Sequence, residues 1–274
     1  SLTVDKEQLN RAIRRVSLLC GDSKLMKFSI APQELQLAAN DPNLGEAKEV
    51  VPIEYTGESV VIGFNARYVL DFLSVAEDVL KDASPLARSR FGKTQVLQIK
   101  ERGDLQTRAD LAVEEHVVSR LAEAFPQHGI RSEETGGRNP DAEYVWVLDP
   151  IDGTRSFITG QLHWGMLVAL NDGERVLCGL AHQPFVGETF LAAAGGPARW
   201  RRGAEERVLS TRRCPEVGDA IVACTSPDIF GTPESRASFE RVRARAKLTR
   251  FGGDCYAYCL LAMGLIDVVV ESSL

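Results

Sequence analysis

The sequence of 274 residues predicts an α+β fold made of two successive units, each with its own helices and strands. Two observations predict this fold. Apolar residues recur every three to four positions in some segments and every second position in others, which is typical of alternating helices and strands. The length is sufficient for two domains, and the 44% of hydrophobic and 26% of charged residues are usual for a globular protein. We therefore expect two packed cores.

The first unit is predicted to contain a helix, four strands and a second helix. Leu9, Ile13 and Val16 mark the apolar face of an amphipathic helix over residues 5–20. The pattern then predicts strands at 27–30, 34–40, 49–55 and 59–64, and a short helix at 66–73. Four basic side chains of the first helix, Lys6, Arg11, Arg14 and Arg15, could contact DNA phosphates. A solvated helix face is the alternative interpretation.

A boundary is predicted between the two units, because the sequence changes character between residues 77 and 92. Residues 82–85, which end in Pro85, are predicted to break the helix, and residues 88–93 are basic. The resulting domain limits are 1–77 for the first unit, 78–92 for a junction and 93–274 for the second unit.

The second unit is predicted to begin with a helix whose first turn is capped. Thr107 and Asp110 have the spacing of a capping box, and Pro126 ends the helix. Strands are predicted at 144–148, 165–170, 175–182, 188–192, 220–223 and 266–271, and further helices at 235–246 and 255–263. An adjacent pair of glutamates, Glu133 and Glu134, follows a short strand.

Two carboxylates follow the strand at 144–148 directly. Asp149 and Asp152 flank Pro150, which prevents regular strand pairing, and Gly153 then allows the chain to turn into a helix. Hard divalent cations prefer oxygen ligands, and backbone N–H groups at a helix start attract phosphate. The stretch predicts a metal and phosphate site, with an acidic surface turn as the alternative.

The acidic segments Asp110, Glu133, Glu134, Asp149 and Asp152 are expected to converge on one pocket. Taken singly, each has an ordinary explanation as a helix cap or a solvated loop. Two ionised carboxylates about 4 Å apart repel by roughly 4 kcal/mol at an effective dielectric near 20, so a cluster needs cations or protons. The convergence therefore predicts a two-metal site for phosphoryl transfer to water.

The motifs Glu133-Glu134 and Trp146-Val147-Leu148-Asp149-Pro150-Ile151-Asp152-Gly153-Thr154 resemble those of the inositol monophosphatase family of Mg²⁺-dependent, lithium-sensitive phosphatases. The resemblance covers about residues 88–274, and residues 155–160, 164–165, 182–185 and 252–258 are most similar to histidinol-phosphatases. It implies an incomplete layered α/β sandwich, two or three Mg²⁺ ions and inhibition by Li⁺. The implied reaction is hydrolysis of a small phosphate monoester: histidinol phosphate of histidine biosynthesis is favoured, and an inositol phosphate is the alternative.

The same resemblance implies roles for individual residues. Those implied to bind metal are Glu133, Asp149, Asp152 and the carbonyl of Ile151. Thr154 and Glu133 would orient the attacking water, Asp110 would assist a weakly held ion, and Glu134 would support the site. Those implied to contact substrate are Gly153, Thr154, Arg155, Asp254 and Glu271.

A second resemblance involves the first unit. Residues 28–30, 35–40, 46–47 and 62–71 are similar to the C-terminal domain of the bacterial DNA polymerase III β sliding clamp, over about residues 2–76. In that family the first helix lines the DNA channel, which would give Lys6, Arg11, Arg14 and Arg15 a phosphate-facing role. A DNA-replication fragment is therefore an alternative function, and an inactive chimera of the two parts is another.

The sequence departs from the phosphatase pattern at its end. Family members carry one further metal-binding Asp shortly after the strand that contains residues 266–271, and this sequence stops before it. We therefore expect an incomplete phosphatase domain with weak activity.

Composition limits the expected partners and location. The net charge of −6 argues against nucleic acid contacting the whole surface, and no apolar run is long enough to cross a membrane. The six cysteines lack a Cys-x-x-Cys pair, so reduced thiols in the cytoplasm are expected, with disulfides as the alternative. The expected partner is a small phosphorylated substrate, with a homodimer as an option.

Overall fold

The computed structural model describes residues 3–17, 26–41, 45–64, 66–93, 96–99, 105–194 and 196–272. The contacts between residues divide the chain into two compact units, Ser1–Asp71 and Phe72–Leu274. None of the helices in the described residues is both long and apolar enough to span a membrane.

The first unit is a five-stranded antiparallel sheet covered by one helix. Its elements are β1 (Thr3–Val4), α1 (Lys6–Ser17), β2 (Met26–Ala31), β3 (Glu34–Asp41), β4 (Gly45–Glu54) and β5 (Val60–Phe64). The strand order is β1-β4-β3-β2-β5. The four predicted strands are confirmed, although β4 begins four residues before its predicted start.

The core of the first unit lies between α1 and the sheet. Val16 of the helix is buried against Leu35, Leu37 and Val51 of the strands. Because alternate residues of a strand face the same side, Leu35 and Leu37 both reach this core. The predicted apolar face of α1 is confirmed: Leu9 and Ile13 also pack against it.

The helix α2 (Ala66–Arg90) runs without interruption through the predicted boundary. The predicted break at residues 82–85 is wrong. Pro85 is exposed and removes only one helical hydrogen bond, whereas the opposite face of the helix is buried at Leu80, Ala83 and Ala87. Burial of this apolar face outweighs the cost of one proline.

The second unit includes two short 3₁₀ helices, Val217–Asp219 and Pro227–Ile229. Its strands and α-helices after α2 follow in chain order. They are β6 (Val96–Ile99), β7 (Leu105–Thr107), α3 (Arg108–Ala124), β8 (Gly129–Ser132), β9 (Gly136–Arg138), β10 (Val145–Asp152), α4 (Thr154–Thr159), β11 (Gly165–Asn171), β12 (Val176–Gln183), β13 (Glu188–Ala193), β14 (Arg199–Arg202), β15 (Glu205–Val208), β16 (Ile221–Cys224), α5 (Pro233–Arg243), β17 (Leu248–Phe251), α6 (Asp254–Ala262) and β18 (Val268–Val269).

An eight-stranded sheet dominates the second unit. Its order is β15-β14-β13-β12-β11-β10-β8-β9, and all its pairs are antiparallel except β10 with β8. Trp146 and Leu148 of β10 are buried on one face of the sheet. On this face the ring of Phe72 from α2 packs edge-on against the ring of Trp146, with 6.1 Å between the ring centroids. The opposite face carries Val147, which is 43% exposed. The strand β10 is thus rigidly held from one side.

A smaller three-stranded parallel sheet, in the order β17-β16-β18, follows the large one. Its core includes Val222 of β16 and the stacked rings of Phe230 and Phe239, with centroids 4.6 Å apart. The predicted strand at 266–271 is reduced to β18, and β17 and the β14–β15 hairpin were not predicted. These short strands are rich in Arg and Glu or in exposed residues, so they lack the apolar alternation that identifies a strand.

The predicted cap of α3 is confirmed. The hydroxyl of Thr107 accepts from the amides of Ala109 and Asp110, and Asp110 accepts from the amide of Thr107. The buried face of the helix runs through Val113, Val117 and Leu121. Leu111 and Val118, on the flanks of this face, are half-buried.

A buried histidine joins α2 to the large sheet. The ring of His182 in β12 lies between two hydroxyls: Nε2 is 3.0 Å from Oγ of Ser84, and Nδ1 is 2.9 Å from Oγ1 of Thr189. The Ser84 hydroxyl donates to the carbonyl of Leu80, so its oxygen accepts from the Nε2–H of the ring. Burial lowers the pKa of His182 to about 4.

This histidine predicts a loss of stability in mild acid. Between the ordinary pKa of about 6.5 and the folded value of about 4, the unfolded chain binds more protons, so the free energy of unfolding falls as pH falls. We expect His182→Gln to remove this contribution, which amounts to about 3 kcal/mol at most. Urea denaturation at pH 7 and pH 4.5 measures it, and His116→Gln on the surface of α3 is the control. A wild type and His182→Gln with the same pH dependence would contradict the assignment.

Candidate functional site

The end of β10 is shaped by a proline and a glycine. Pairing of β10 with β11 shifts in register between Asp149 and Asp152, because Pro150 has no N–H to donate. Despite this shift, β10 continues past its predicted end at residue 148 and reaches Asp152. The amide of Ile151 donates to Oδ1 of Asp149 at 3.0 Å, which closes a tight turn.

Gly153 completes this turn, and a residue with a side chain would not fit at this position. Its φ of +81° lies in the left-handed region. A Cβ at this position would lie 2.6 Å from the carbonyl oxygen of His163 and 3.1 Å from the Cβ of Asp254. The glycine thus lets the strand end approach two other segments. The helix α4 begins directly after it at Thr154 and has six residues.

Asp149 lies in the most unfavourable electrostatic position of the site. Burial raises its pKa well above the ordinary value, and the nearby carboxylates of Glu133 and Asp152 raise it further. The carboxylate of Glu133 therefore lies close enough to Asp149 to disfavour the charged form of Asp149. A divalent cation would relieve the same repulsion.

Asp110 and Glu134 form a second acidic group beside the first. Burial raises the pKa of Asp110 to about 6, the hydrogen bonds from Thr107 oppose this rise, and the charge of Glu134 adds to it. The hydroxyl of Thr154 connects the two groups, since its Oγ1 lies 3.1 Å from the carbonyl oxygen of Ile151 and 3.4 Å from Oδ1 of Asp110. With one proton, this hydroxyl donates to one of the two oxygens at a time.

Acidic side chains also approach from α6 and from the segment after β18. The hydroxyl of Ser156 donates to Asp254 at 2.7 Å, and Glu271 accepts from the amide and the hydroxyl of Thr225 at 2.9 and 3.0 Å. Burial raises the pKa of Asp254, and the charge of Asp152 adds to it. Burial likewise raises the pKa of Glu271, with smaller contributions from Asp254 and Asp152. These carboxylates therefore belong to one electrostatic neighbourhood.

Positive charge and backbone donors partly offset this concentration of carboxylates. Arg155 and His163 lie close enough to Asp254 to lower its pKa. The amide of Cys255, at the start of α6, donates to Oδ2 of Asp152 at 2.7 Å. Burial raises the pKa of the Cys255 thiol, which keeps it in the neutral form beside Asp152.

An apolar cavity of about 950 Å³ opens on the face of the large sheet that carries Val147. Glu133 and Asp149 line it together with Leu167 of β11 and Cys259 of α6. The carboxylates of the site thus have an apolar wall on one side, which is consistent with the strong effect of burial on Asp149.

The donor set fits a hard divalent cation by its chemistry. The side chains of Glu133, Asp149 and Asp152 and the carbonyl of Ile151 offer oxygen atoms only, as Mg²⁺ requires and Zn²⁺ usually does not. In the described part of the chain, no three His, Cys, Asp or Glu side chains already form an arrangement that could hold an ion. Some of these oxygens accept hydrogen bonds from protein groups, Asp152 from Cys255 and the Ile151 carbonyl from Thr154.

The structure brings most of the predicted site residues together. Asp149 lies beside Glu133 and Asp152, and Asp110 lies beside Thr154 and Glu134, as the contacts above show. The roles assigned to the individual residues stay predictions. Sequence reasoning missed Gln106, Glu114 and Ser156, which hold acidic side chains or loops of the site. A carboxylate one turn after Asp110 on the same helix face was the available signal for Glu114.

The predicted DNA contacts lie in the first unit. Both Nε and a terminal nitrogen of Arg15 bind the carboxylate of Glu49, with Nε 3.0 Å from each carboxylate oxygen. The guanidinium of Arg15 is thus already neutralised by a protein partner. Arg11 is exposed, and the side chains of Lys6 and Arg14 lie outside the described part of the structure.

Two family models match parts of the chain. The family model of the inositol monophosphatase family matches residues 69–274. The model of the DNA polymerase III beta subunit, C-terminal domain, matches residues 1–109. The first match covers most of the chain, and the second covers less than half of it.

Individual relatives agree with the first match. The Bifunctional phosphatase IMPL2, chloroplastic, of Arabidopsis thaliana is 40% identical over 75% of this chain, which spans 59% of the plant protein. The Histidinol-phosphatase of Mycobacterium tuberculosis is 32% identical over 73% of the chain and 78% of that protein. The solved structure of an inositol monophosphatase from Zymomonas mobilis, 34% identical, superposes with a TM-score of 0.64 over 74% of this chain and 77% of that chain.

The electrostatics of Asp149 predict a stability gain on neutralisation. Asn at this position keeps an oxygen for the amide of Ile151 and removes the charge beside Glu133 and Asp152. With EDTA present, we expect Asp149→Asn to raise the free energy of unfolding at pH 7, because the raised pKa of Asp149 means that its charged form destabilises the folded state.

The size of this effect depends on pH. Because the folded pKa is raised, the wild type loses stability as pH rises above the ordinary Asp value of about 4, and the difference between the proteins should vanish near pH 3. Urea denaturation across this range measures it, with the exposed Asp141→Asn as the matched control. A variant that is less stable than the wild type at pH 7 would show that Asp149 carries no such repulsion.

Proposed function

The chain belongs to the inositol monophosphatase family of Mg²⁺-dependent, Li⁺-sensitive phosphoric monoester hydrolases, and from this premise we propose that it hydrolyses a small phosphate monoester. The observation that supports the proposal most directly is the position of Asp149. It is held at the end of a rigid central strand, next to Glu133 and Asp152, in surroundings that disfavour its charge. Such a group of oxygen ligands is suited to a divalent cation.

The proposed ligands for Mg²⁺ are Glu133, Asp149, Asp152 and the Ile151 carbonyl, for two ions or three. When bound, Mg²⁺ would supply charge neutralisation for the phosphoryl group and a water of lowered pKa. The residues of the chain contribute positioning: the turn at Gly153 aligns the end of β10 with the start of α4, where backbone amides of Gly153 and Thr154 would bind phosphate oxygens.

Thr154 and Glu133 are proposed to orient the water that attacks phosphorus. The hydroxyl of Thr154 already donates within the site, to the carbonyl of Ile151 or to Asp110. A hydroxyl that donates to either of these oxygens presents its own lone pairs to a water molecule, and Glu133 would accept a proton from that water. Asp110, whose pKa is raised to about 6, is proposed to assist a more weakly held ion.

Histidinol phosphate is the proposed substrate. Asp254 and Glu271 lie in the electrostatic neighbourhood of Asp152 and would face the alcohol part of the substrate, with Arg155 beside Asp254. An alcohol that carries an ammonium group complements these carboxylates, whereas inositol offers hydroxyl groups only. A relative of 32% identity that is named a histidinol-phosphatase supports the same choice.

Phosphate release from histidinol phosphate tests the proposal. We expect activity with Mg²⁺ that EDTA abolishes and Li⁺ inhibits, and a loss of at least about 100-fold in kcat/KM for Asp149→Asn because a ligand of the cation is removed. Asp141→Asn is the matched control. Inositol 1-phosphate measured in parallel decides the substrate: a higher kcat/KM with it than with histidinol phosphate would overturn the substrate and leave the reaction class intact. No Mg²⁺-dependent release from either compound would overturn both.

DNA binding by the first unit is a second candidate, favoured by the family match to residues 1–109. Residues 1–71 carry more Asp and Glu than Lys and Arg, and Arg15 is paired with Glu49. Any DNA binding must therefore depend on a few basic side chains, and it should weaken steeply between 50 and 200 mM salt.

Retention on an immobilised duplex tests this candidate directly. If the unit binds DNA, Arg11→Ala should lower retention at 50 mM salt, whereas Lys48→Ala, on the sheet, should not. Absence of retention at 50 mM salt would rule the candidate out.

A further inference from the structure

A fully buried carboxylate in α3 holds the loop that carries the two adjacent glutamates. Glu114 is 0% exposed. Its two oxygens accept three hydrogen bonds, from the amide of Glu134 at 2.9 Å, the amide of Thr135 at 2.8 Å and the hydroxyl of Thr135 at 2.5 Å. All three donors belong to residues that directly follow Glu133.

The residue directly before the cap of α3 also anchors this loop. Asp110 lies four residues before Glu114, so both side chains point from the same face of α3. Gln106, directly before the helix cap, donates from Nε2 to the carboxylate of Glu134 at 2.5 Å. Since α3 is capped and packs on β8 and β10, these groups are attached to a rigid element.

On its other side the loop is tied to β10. The amide of Glu133 donates to the carbonyl of Leu148 at 3.2 Å, next to Asp149. The backbone of Glu133 is thus fixed between β10, through Leu148, and α3, through Glu114. Glu133 and Asp149 line the same cavity, so the fixed backbone of Glu133 places this residue beside Asp149.

We propose that Glu114 is a positioning residue that holds residues 133–135 so that Glu133 faces Asp149 in the cation site. The inference rests on the proposed function, since it concerns the same site. Glu114 itself contacts neither substrate nor cation in this assignment.

A packing role alone does not account for a glutamate at this position. The neighbouring buried positions of α3 are Val113, Val117 and Leu121, which shows that an apolar side chain suits this face. Burying a carboxylate costs several kcal/mol unless hydrogen bonds compensate it. Here the compensation comes from the loop beside Glu133 and from no other part of the chain that the structure describes.

Cation binding in the absence of substrate tests the inference. The probe is Mn²⁺ alone, whose free concentration is read from its electron paramagnetic resonance signal. In Glu114→Gln one oxygen becomes an NH₂ group that cannot accept from the loop, so we expect Mn²⁺ to bind 10- to 100-fold more weakly. The neighbouring, exposed Glu115→Gln is the matched control and should bind Mn²⁺ as the wild type does.

A second variant keeps the test decisive if Glu114→Gln does not fold. Thr135→Val removes the hydroxyl donor at an exposed residue while it keeps the side-chain shape, and we expect several-fold weaker Mn²⁺ binding. Folding is checked by circular dichroism and by the midpoint of thermal unfolding. Unchanged Mn²⁺ affinity in the folded variants would overturn the inference, as would a wild type that binds no Mn²⁺.

Kinetics separate this inference from the proposed function. A wild type that binds Mn²⁺ but releases no phosphate would overturn the proposed function, and the Mn²⁺ affinities of the variants would still decide the role of Glu114. If the wild type is active, we expect the variants to need more Mg²⁺ for half-maximal rate, with KM for substrate at saturating Mg²⁺ unchanged. A raised KM at saturating Mg²⁺ with an unchanged Mg²⁺ requirement would contradict positioning of the cation site.

Discussion

Repulsion between closely grouped carboxylates is the constraint that the second unit has to satisfy. Asp149, Asp152 and Glu133 come from two neighbouring strands that run in parallel, and parallel strands bring their carboxyl ends to the same edge of a sheet. The free energy of this arrangement is unfavourable for charged side chains in an apolar environment. Burial of the large apolar residues on the opposite face of the sheet, Trp146 and Leu148, stabilises the strand strongly enough to hold the acidic end in place.

Hydrogen bonds from the surrounding elements offset part of this repulsion. The cap of α3 supplies hydrogen bonds to Asp110, the start of α6 supplies an amide to Asp152, and the loop after β8 is bound to Glu114. Asp110 and the loop that carries Glu134 are thereby attached to α3, and Asp152 is attached to the start of α6, so no single loop determines the geometry of the site. A site that is assembled in this way can remain ordered although its groups repel each other.

The continuous α2 and the buried His182 serve the same purpose from the other face of the sheet. The helix covers Trp146 with Phe72 and is joined to β12 through Ser84. A helix with Pro85 inside it is less stable in isolation than one without, so its persistence depends on this packing. The predicted break failed for this reason: local propensity was outweighed by tertiary burial of one helix face.

The sequence alone determined the strand at 144–148, the capped start of α3, the turn around Pro150 and Gly153 and the identity of the acidic residues, because each depends on residues within a few positions of one another. Only the tertiary structure decided which acidic residues meet. Glu114 and Gln106 form hydrogen bonds with a loop about twenty to thirty positions away in the sequence. The amide of Cys255 donates to Asp152, which lies 103 positions earlier. Such contacts depend on the packing of α3 and α6 against the sheet, and hydrophobic burial fixes that packing without leaving a local pattern in the chain.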